Sequence, residues 1–163
     1  MSKKCKSILI IVTAVLAVAL ITGAVFLILN NIGDPAVSIN SKSAKAGETV
    51  EISLSVNKNP GIWGGQVILK YDSDILSFDS YSNGKVFDKC DCNDDSGTLT
   101  LLLTQAELKN AKMNGRAAII RFKINANAAK GDYNISFNKD TNFCNVDEKL
   151  IEPTLENGTV TVK

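Results

Sequence analysis

The sequence predicts an all-β domain, a two-sheet β-sandwich or jelly roll, on three observations. From Ala36 onward about nine runs of strand length follow one another, bounded by Gly, Pro, Asn, Asp or Ser. The clearest of these runs alternate apolar and polar residues with period two, the mark of a strand with one buried and one wetted face. Almost no stretch beyond the first thirty residues has helical periodicity. Short strands spaced by turn signals in this way are what a sandwich is assembled from, and up to about 130 residues can close one such core.

The chain opens differently. Residues Ile8 to Leu29 are 22 consecutive residues without a charge or proline. As a helix rising about 1.5 Å per residue they span about 33 Å, matching a hydrocarbon core of roughly 30 Å. One N-terminal transmembrane helix, a signal anchor over 8–29, is therefore expected. Lys3, Lys4 and Lys6 in the basic segment 1–7 place that end in the cytoplasm and the remainder outside the cell. The competing reading is a signal peptide cleaved at Thr22-Gly23-Ala24, which would leave the domain secreted; the apolar run continuing through Leu29 favours the anchor. A short linker over 30–35 follows, where Gly33 and Asp34-Pro35 stop any helix leaving the membrane.

The domain over 36–163 then reads in order. Ala36 to Asn40 is a first strand, Ser41 to Glu48 a polar connection, and Thr49 to Val56 a strictly alternating strand with Val50, Ile52, Leu54 and Val56 on one face. After the turn Asn57 to Gly61 comes a strand from Trp63 to Tyr71, a turn at Asp72-Ser73-Asp74, and an apolar return at Ile75, Leu76 and Phe78. Val86-Phe87 is a short further strand, and Asn93 to Gly97 a turn leading into Thr98 to Thr104. Gln105 to Lys112 could form one or two helical turns, with Thr104 as cap and Glu107 in the capping-box position. Arg116 to Asn125, Tyr133 to Phe137 and Thr159 to Lys163 complete the strands.

Composition excludes several functions. With no histidine, Ser-His and Cys-His pairs and the common zinc sites are absent, and an enzyme is not expected. The three N-terminal lysines leave 15 Lys+Arg against 17 Asp+Glu in the remainder, so no basic stripe exists to neutralise nucleic-acid phosphates.

Four stretches, taken in order, resemble the cohesin family, the modules that hold enzymes in bacterial cellulosomes. AGETVEISLSV resembles its first hairpin; GIWGGQVILKYDSDILSF resembles its most recognisable segment, a strand ending in Tyr-Asp, a turn and an apolar-Leu pair; NGRAAIIRFKI and NGTVTVK resemble a later strand and the closing one. The resemblance implies a nine-stranded jelly-roll β-sandwich whose flat face binds a dockerin, a small calcium-loaded module on a partner protein. It also implies that the two polar positions preceding the Tyr-Asp turn contact that partner. Here those positions are Gly64 and Gln66, where the family usually has Asn and Asp.

Strand parity adds to this list. Trp63, Gly65, Val67 and Leu69 fall on one side and Gly64, Gln66, Ile68 and Lys70 on the other, which makes Gln66 and Lys70 the expected surface contacts. Trp63 is either a partner-anchoring aromatic or a residue capping the sandwich. Three cysteines lie outside the membrane segment. An oxidising exterior permits a disulfide from Cys90 or Cys92 to Cys144, with one thiol left over, whereas a reducing one leaves all three free. Asp91, Asn93 and Asp95 have the spacing of a calcium loop, but Ser96 and Leu102 stand where an EF-hand needs Gly and Glu, so no metal and no cofactor is expected. The expected function is a membrane-anchored, surface-exposed module that recruits a dockerin-bearing, polysaccharide-degrading enzyme. The alternatives are a carbohydrate-binding module of the same sandwich type, which would touch polysaccharide directly, or a structural surface-assembly domain.

Overall fold

A computed structural model describes residues Asp34–Lys163; the expected basic N-terminus, the membrane segment 8–29 and most of the linker lie outside the described residues. Thirteen strands form two sheets, and no helix occurs among the described residues. The strands are β1 (Ala36–Ile39), β2 (Lys42–Ala44), β3 (Thr49–Asn57), β4 (Gly64–Lys70), β5 (Leu76–Asn83), β6 (Lys89–Asp94) and β7 (Thr98–Thr104). They continue as β8 (Gly115–Ile124), β9 (Gly131–Phe137), β10 (Asn142–Cys144), β11 (Leu150–Ile151), β12 (Thr154–Glu156) and β13 (Gly158–Val162).

One sheet runs β12-β1-β3-β8-β5. The other places β7 beside β4 and β6 beside β7, with β9 and β10 on the opposite side of β4. The count exceeds the expected nine in part because two stretches of chain change sheets midway. The chain leaves one sheet after Ile39 and joins the other at Lys42; the last stretch does the same between Glu156 and Gly158. At that second crossing a Cβ on Gly158 would stand 2.6 Å from Ile39 Cγ2 and 2.9 Å from two backbone oxygens, so only glycine fits. Strands β9 and β10 both pair with β4, and the offset between them is bridged by Thr141. Its hydroxyl takes the Ile68 N–H at 3.0 Å and donates to the Ile68 carbonyl.

The core lies between the sheets. Val50, Ile52, Leu54 and Val56 of β3 are all buried, as the alternation predicts, and they face Val67 and Leu69 of β4 and Leu99, Leu101 and Leu103 of β7 across the interior. Two expectations fail. Val86 and Phe87 are buried but form no strand; the Val86 carbonyl instead accepts the side-chain amide of Gln105, the one buried polar residue among those described. Residues 105–112 are not helical either, because their backbone groups are used elsewhere: Gln105 N–H donates to Trp63, Ala106 N–H to the Asp88 carboxylate and Ala111 N–H to Ile62.

The Tyr-Asp pair that ends β4 is architectural. Tyr71 packs its ring 4.8 Å from that of Phe122, and its hydroxyl donates to Asp94 Oδ1 at 2.6 Å, tying the end of β4 to the end of β6. Asp72 shapes the turn, its carboxylate accepting the Asp74 N–H and its carbonyl accepting from Leu76. Burial, then the bond to Asp94, pushes the Tyr71 phenol up from 10.0 to about 12. A group whose pKa is raised by folding stabilises fully below its unfolded value and loses that contribution as pH rises through the folded one. Denaturant midpoints are therefore expected to fall between about pH 10 and 12, and Tyr71→Phe should remove part of that decline.

Candidate functional site

Register converts the strands into a surface. On β4 the inward set is Gly65, Val67 and Leu69 and the outward set Gly64, Gln66, Ile68 and Lys70. Because β7 pairs with β4 and β6 pairs with β7, the outward residues align in rows across four strands. One row is Lys89, Thr104, Gly64, Cys144; the next is Asp91, Leu102, Gln66, Asn142; a third carries Asn93, Thr100 and Ile68; the last holds Thr98, Lys70 and Ser136. Three of the four contacts expected from the sequence, Gly64, Gln66 and Lys70, thus share one face.

Each has a definite local environment. The Lys70 ammonium donates across the strand pair to Thr98 Oγ1, which holds its long side chain along the face. Gln66 is exposed beside Asn142. Gly64 is buried and leaves no room for a side chain, since an added Cβ would lie 2.8 Å from the Leu103 carbonyl oxygen. Trp63 stands apart from this face. It precedes β4 with inward parity, its indole N–H donates to the Glu107 carbonyl at 3.0 Å, and its backbone bridges Cys144 and Gln105. It fastens the loop after β7 to the sheet.

Leu102 is the exposed apolar residue of this face that sequence reasoning missed. It is 48% exposed in the middle of the second row, between Asp91 and Gln66, and with Cys92, Asn93 and Thr100 it borders a shallow depression of about 170 Å³. The signal was present in Thr98 to Thr104, where threonines occupy the outward positions except at 102. An exposed leucine ringed by polar and charged side chains has the composition of an interface centre.

The three described cysteines, Cys90, Cys92 and Cys144, are free thiols. Cys144 pairs with Gly64, Gly64 with Thr104 and Thr104 with Lys89, so β10 and β6 stand three strand spacings apart, about 14 Å. A disulfide needs Cα atoms within about 7 Å, which rules out the expected bridge from Cys90 or Cys92 to Cys144. Cys90 and Cys92 face inward from β6 against the core. Burial, then Asp91, pushes the Cys90 thiol up to about 11; burial, then Cys90 and Asp94, pushes Cys92 to about 12. Since the thiolate is the reactive form, iodoacetamide at pH 8 is expected to modify both slowly in the native protein and rapidly in urea. Mass mapping that found a Cys90–Cys144 or Cys92–Cys144 bridge would contradict this arrangement. Among the described residues no group of three Cys, Asp or Glu side chains is placed to hold a metal ion.

Known proteins fit this geometry. A search of the curated proteins finds no match. Among solved structures, a type I cohesin–dockerin complex of Clostridium thermocellum, Coh-OlpC-Doc435, matches with 26% identity and a TM-score of 0.72, covering 80% of this chain and 94% of the other. The sixth cohesin of scaffoldin B from Acetivibrio cellulolyticus, solved in complex with a Cel5 dockerin, matches at 18% identity and a TM-score of 0.76 over 80% of this chain and 100% of the other. A non-cellulosomal cohesin from the archaeon Archaeoglobus fulgidus has the same fold at 11% identity, with a TM-score of 0.71 and coverage of 80% and 92%. The family model described as Cohesin domain matches residues 35–162. Cohesins are non-catalytic dockerin-binding modules. The chain belongs to the cohesin family.

Proposed function

We propose that the outward face of β6, β7, β4 and β10 binds a dockerin-type module and so recruits a partner protein, in keeping with a dockerin-bearing enzyme that degrades polysaccharide. The observation that carries the reading is the second row, where Leu102 sits exposed between Asp91, Gln66 and Asn142 on a family whose relatives are solved with dockerins bound. An apolar centre supplies the desolvated contact, and the polar ring supplies hydrogen bonds and orientation. Sugar binding finds less support: none of the outward positions in these rows is aromatic, so the face offers no ring for a sugar to stack on.

The departures at Gly64 and Gln66 define the kind of partner. A position without a side chain and a neutral amide select against a dockerin that relies on Asn and Asp at those positions and favour one that is met there by the Gln66 amide alone. On the sequence reading, the apolar segment 8–29 displays the domain outside the cell, attached to the membrane. The test is capture: immobilised residues 34–163 exposed to the organism's secreted proteins, with calcium or with chelator. Calcium-dependent retention of proteins sharing a small module supports the reading. Retention on insoluble polysaccharide with no protein captured would overturn it.

A further inference from the structure

We propose that Asn114 is a self-modification site, where the folded domain converts this asparagine into aspartate and isoaspartate while it spares its other two Asn-Gly pairs. This is a covalent change in the module itself and stands apart from partner recruitment.

The reaction needs no enzyme and no cofactor. The Gly115 backbone nitrogen attacks Cγ of Asn114; an N–Cγ bond forms, the Cγ–Nδ2 bond breaks, and ammonia leaves with the proton of the attacking nitrogen. Water then opens the imide ring, its hydroxyl adding to one of the two ring carbonyls and its proton returning to the nitrogen. Opening at Cγ gives aspartate. Opening at the main-chain carbonyl gives isoaspartate, whose backbone runs through the former side chain. Glycine is the follower that permits closure most readily, because it sets no Cβ in the path of attack.

The sequence has three such pairs, Asn83-Gly84, Asn114-Gly115 and Asn157-Gly158, and the fold treats them differently. At the first, the amide nitrogen that would leave donates to the Phe87 and Asp88 carbonyls, the Gly84 N–H donates to Ala117, and a Cβ on Gly84 would collide with the Arg116 carbonyl. That pair is clamped from both sides. At the third, Gly158 is buried against Ile39 with no space for ring closure, and the Phe137 N–H holds the Asn157 side chain. At the second, nothing lies within 4 Å of the place a Cβ would take on Gly115, and Asn114 is exposed to water. Its Oδ1 accepts the Asn59 N–H at 2.8 Å. This bond favours the reaction, since it draws charge onto the oxygen that becomes an oxyanion as nitrogen adds to Cγ. Gly115 also holds φ at 132°, which residues with a side chain rarely adopt, so the fold keeps glycine behind Asn114.

The change bears on the turn that leads into β4. Asn59 Oδ1 accepts the Gly61 and Ile62 N–H groups, and its amide donates to the Met113 carbonyl. Aspartate at position 114 still offers an acceptor to the Asn59 N–H. Isoaspartate puts an extra carbon into the main chain between Met113 and Gly115, which shifts the two acceptors against Asn59 and loosens the turn.

The full chain in detergent, and the same chain unfolded in urea, would be aged side by side in mildly alkaline buffer, each Asn-Gly pair being followed by peptide mass mapping. In urea the three pairs are expected to convert at similar rates. In the native chain Asn114 is expected to convert at least about tenfold faster than Asn83 or Asn157, which must wait for local structure to open. Asn114→Gln, whose side chain cannot close the same ring, should abolish the gain at that position and leave the other two pairs as they were. A smaller native ratio would overturn the proposal, as would the same ratio persisting in urea, where no fold remains to select one pair. A product at position 114 free of isoaspartate would overturn it as well, because the imide route yields both isomers.

Discussion

Leu102→Glu is expected to weaken binding of the captured partner module by about 30-fold or more, the equivalent of ~2 kcal/mol at an interface centre. The reason is position. Leu102 has the polar residues Asp91 and Gln66 on either side in its row and occupies the middle of β7, so a partner covering these strands must desolvate it. A carboxylate there would be stripped of water without a cation opposite it and would sit beside Asp91, adding like-charge repulsion. The side chain is half in solvent already, so the variant should melt close to wild type. Lys123→Glu, on the outer face of the other sheet, serves as the control and should bind normally. Isothermal titration of the three proteins checks this; equal affinities for all would remove the partner from this face.

The second large effect is on the fold. Phe122→Ala is expected to lower the unfolding free energy by ~3–5 kcal/mol, the cost of deleting a fully buried aromatic ring. Phe122 lies in β8, flanked by Val50 on β3 and Phe78 on β5, with no exposed surface. Its ring meets Tyr71 at 4.8 Å and Phe78 at 6.3 Å between centroids, so the cavity would open under the Tyr71–Asp94 link that fixes the ends of β4 and β6. A domain of ordinary stability, ~5–15 kcal/mol, would lose a large share of it. Urea unfolding read by circular dichroism gives the number, and a loss under ~1 kcal/mol would contradict this packing.

Much of the fold was legible because it depends on local pattern. Period-two alternation placed Val50, Ile52, Leu54 and Val56 inside, and the same parity put Gln66 and Lys70 outside and Trp63 with the inward set. Strand β6 was not legible. Lys-Cys-Asp-Cys-Asn-Asp has the composition of a turn, and its strand exists because β7 offers a full row of backbone partners, an influence that no local window contains. The same holds for the switching strands, whose breaks at Asn40 and Asn157 are set by where the two sheets diverge. The helical turns at Gln105 were a local propensity overruled by hydrogen bonds to Trp63, Asp88 and Ile62. The candidate face was legible by halves. Parity identifies which side of β4 is outward, but only non-local register brings Asp91, Leu102 and Asn142 into line with Gln66, and only register separates Cys144 from Cys90 and Cys92.

The central claim, that this one face carries recognition, is tested most directly by amide-resolved NMR of isotope-labelled residues 34–163 titrated with the calcium-loaded module recovered by capture. Shift changes are expected to gather at Asp91, Leu102, Gln66 and Asn142 and along their strands, leaving Glu51, Arg121 and Lys123 on the opposite face undisturbed. Changes centred on that opposite face, or none at saturating partner, would contradict it.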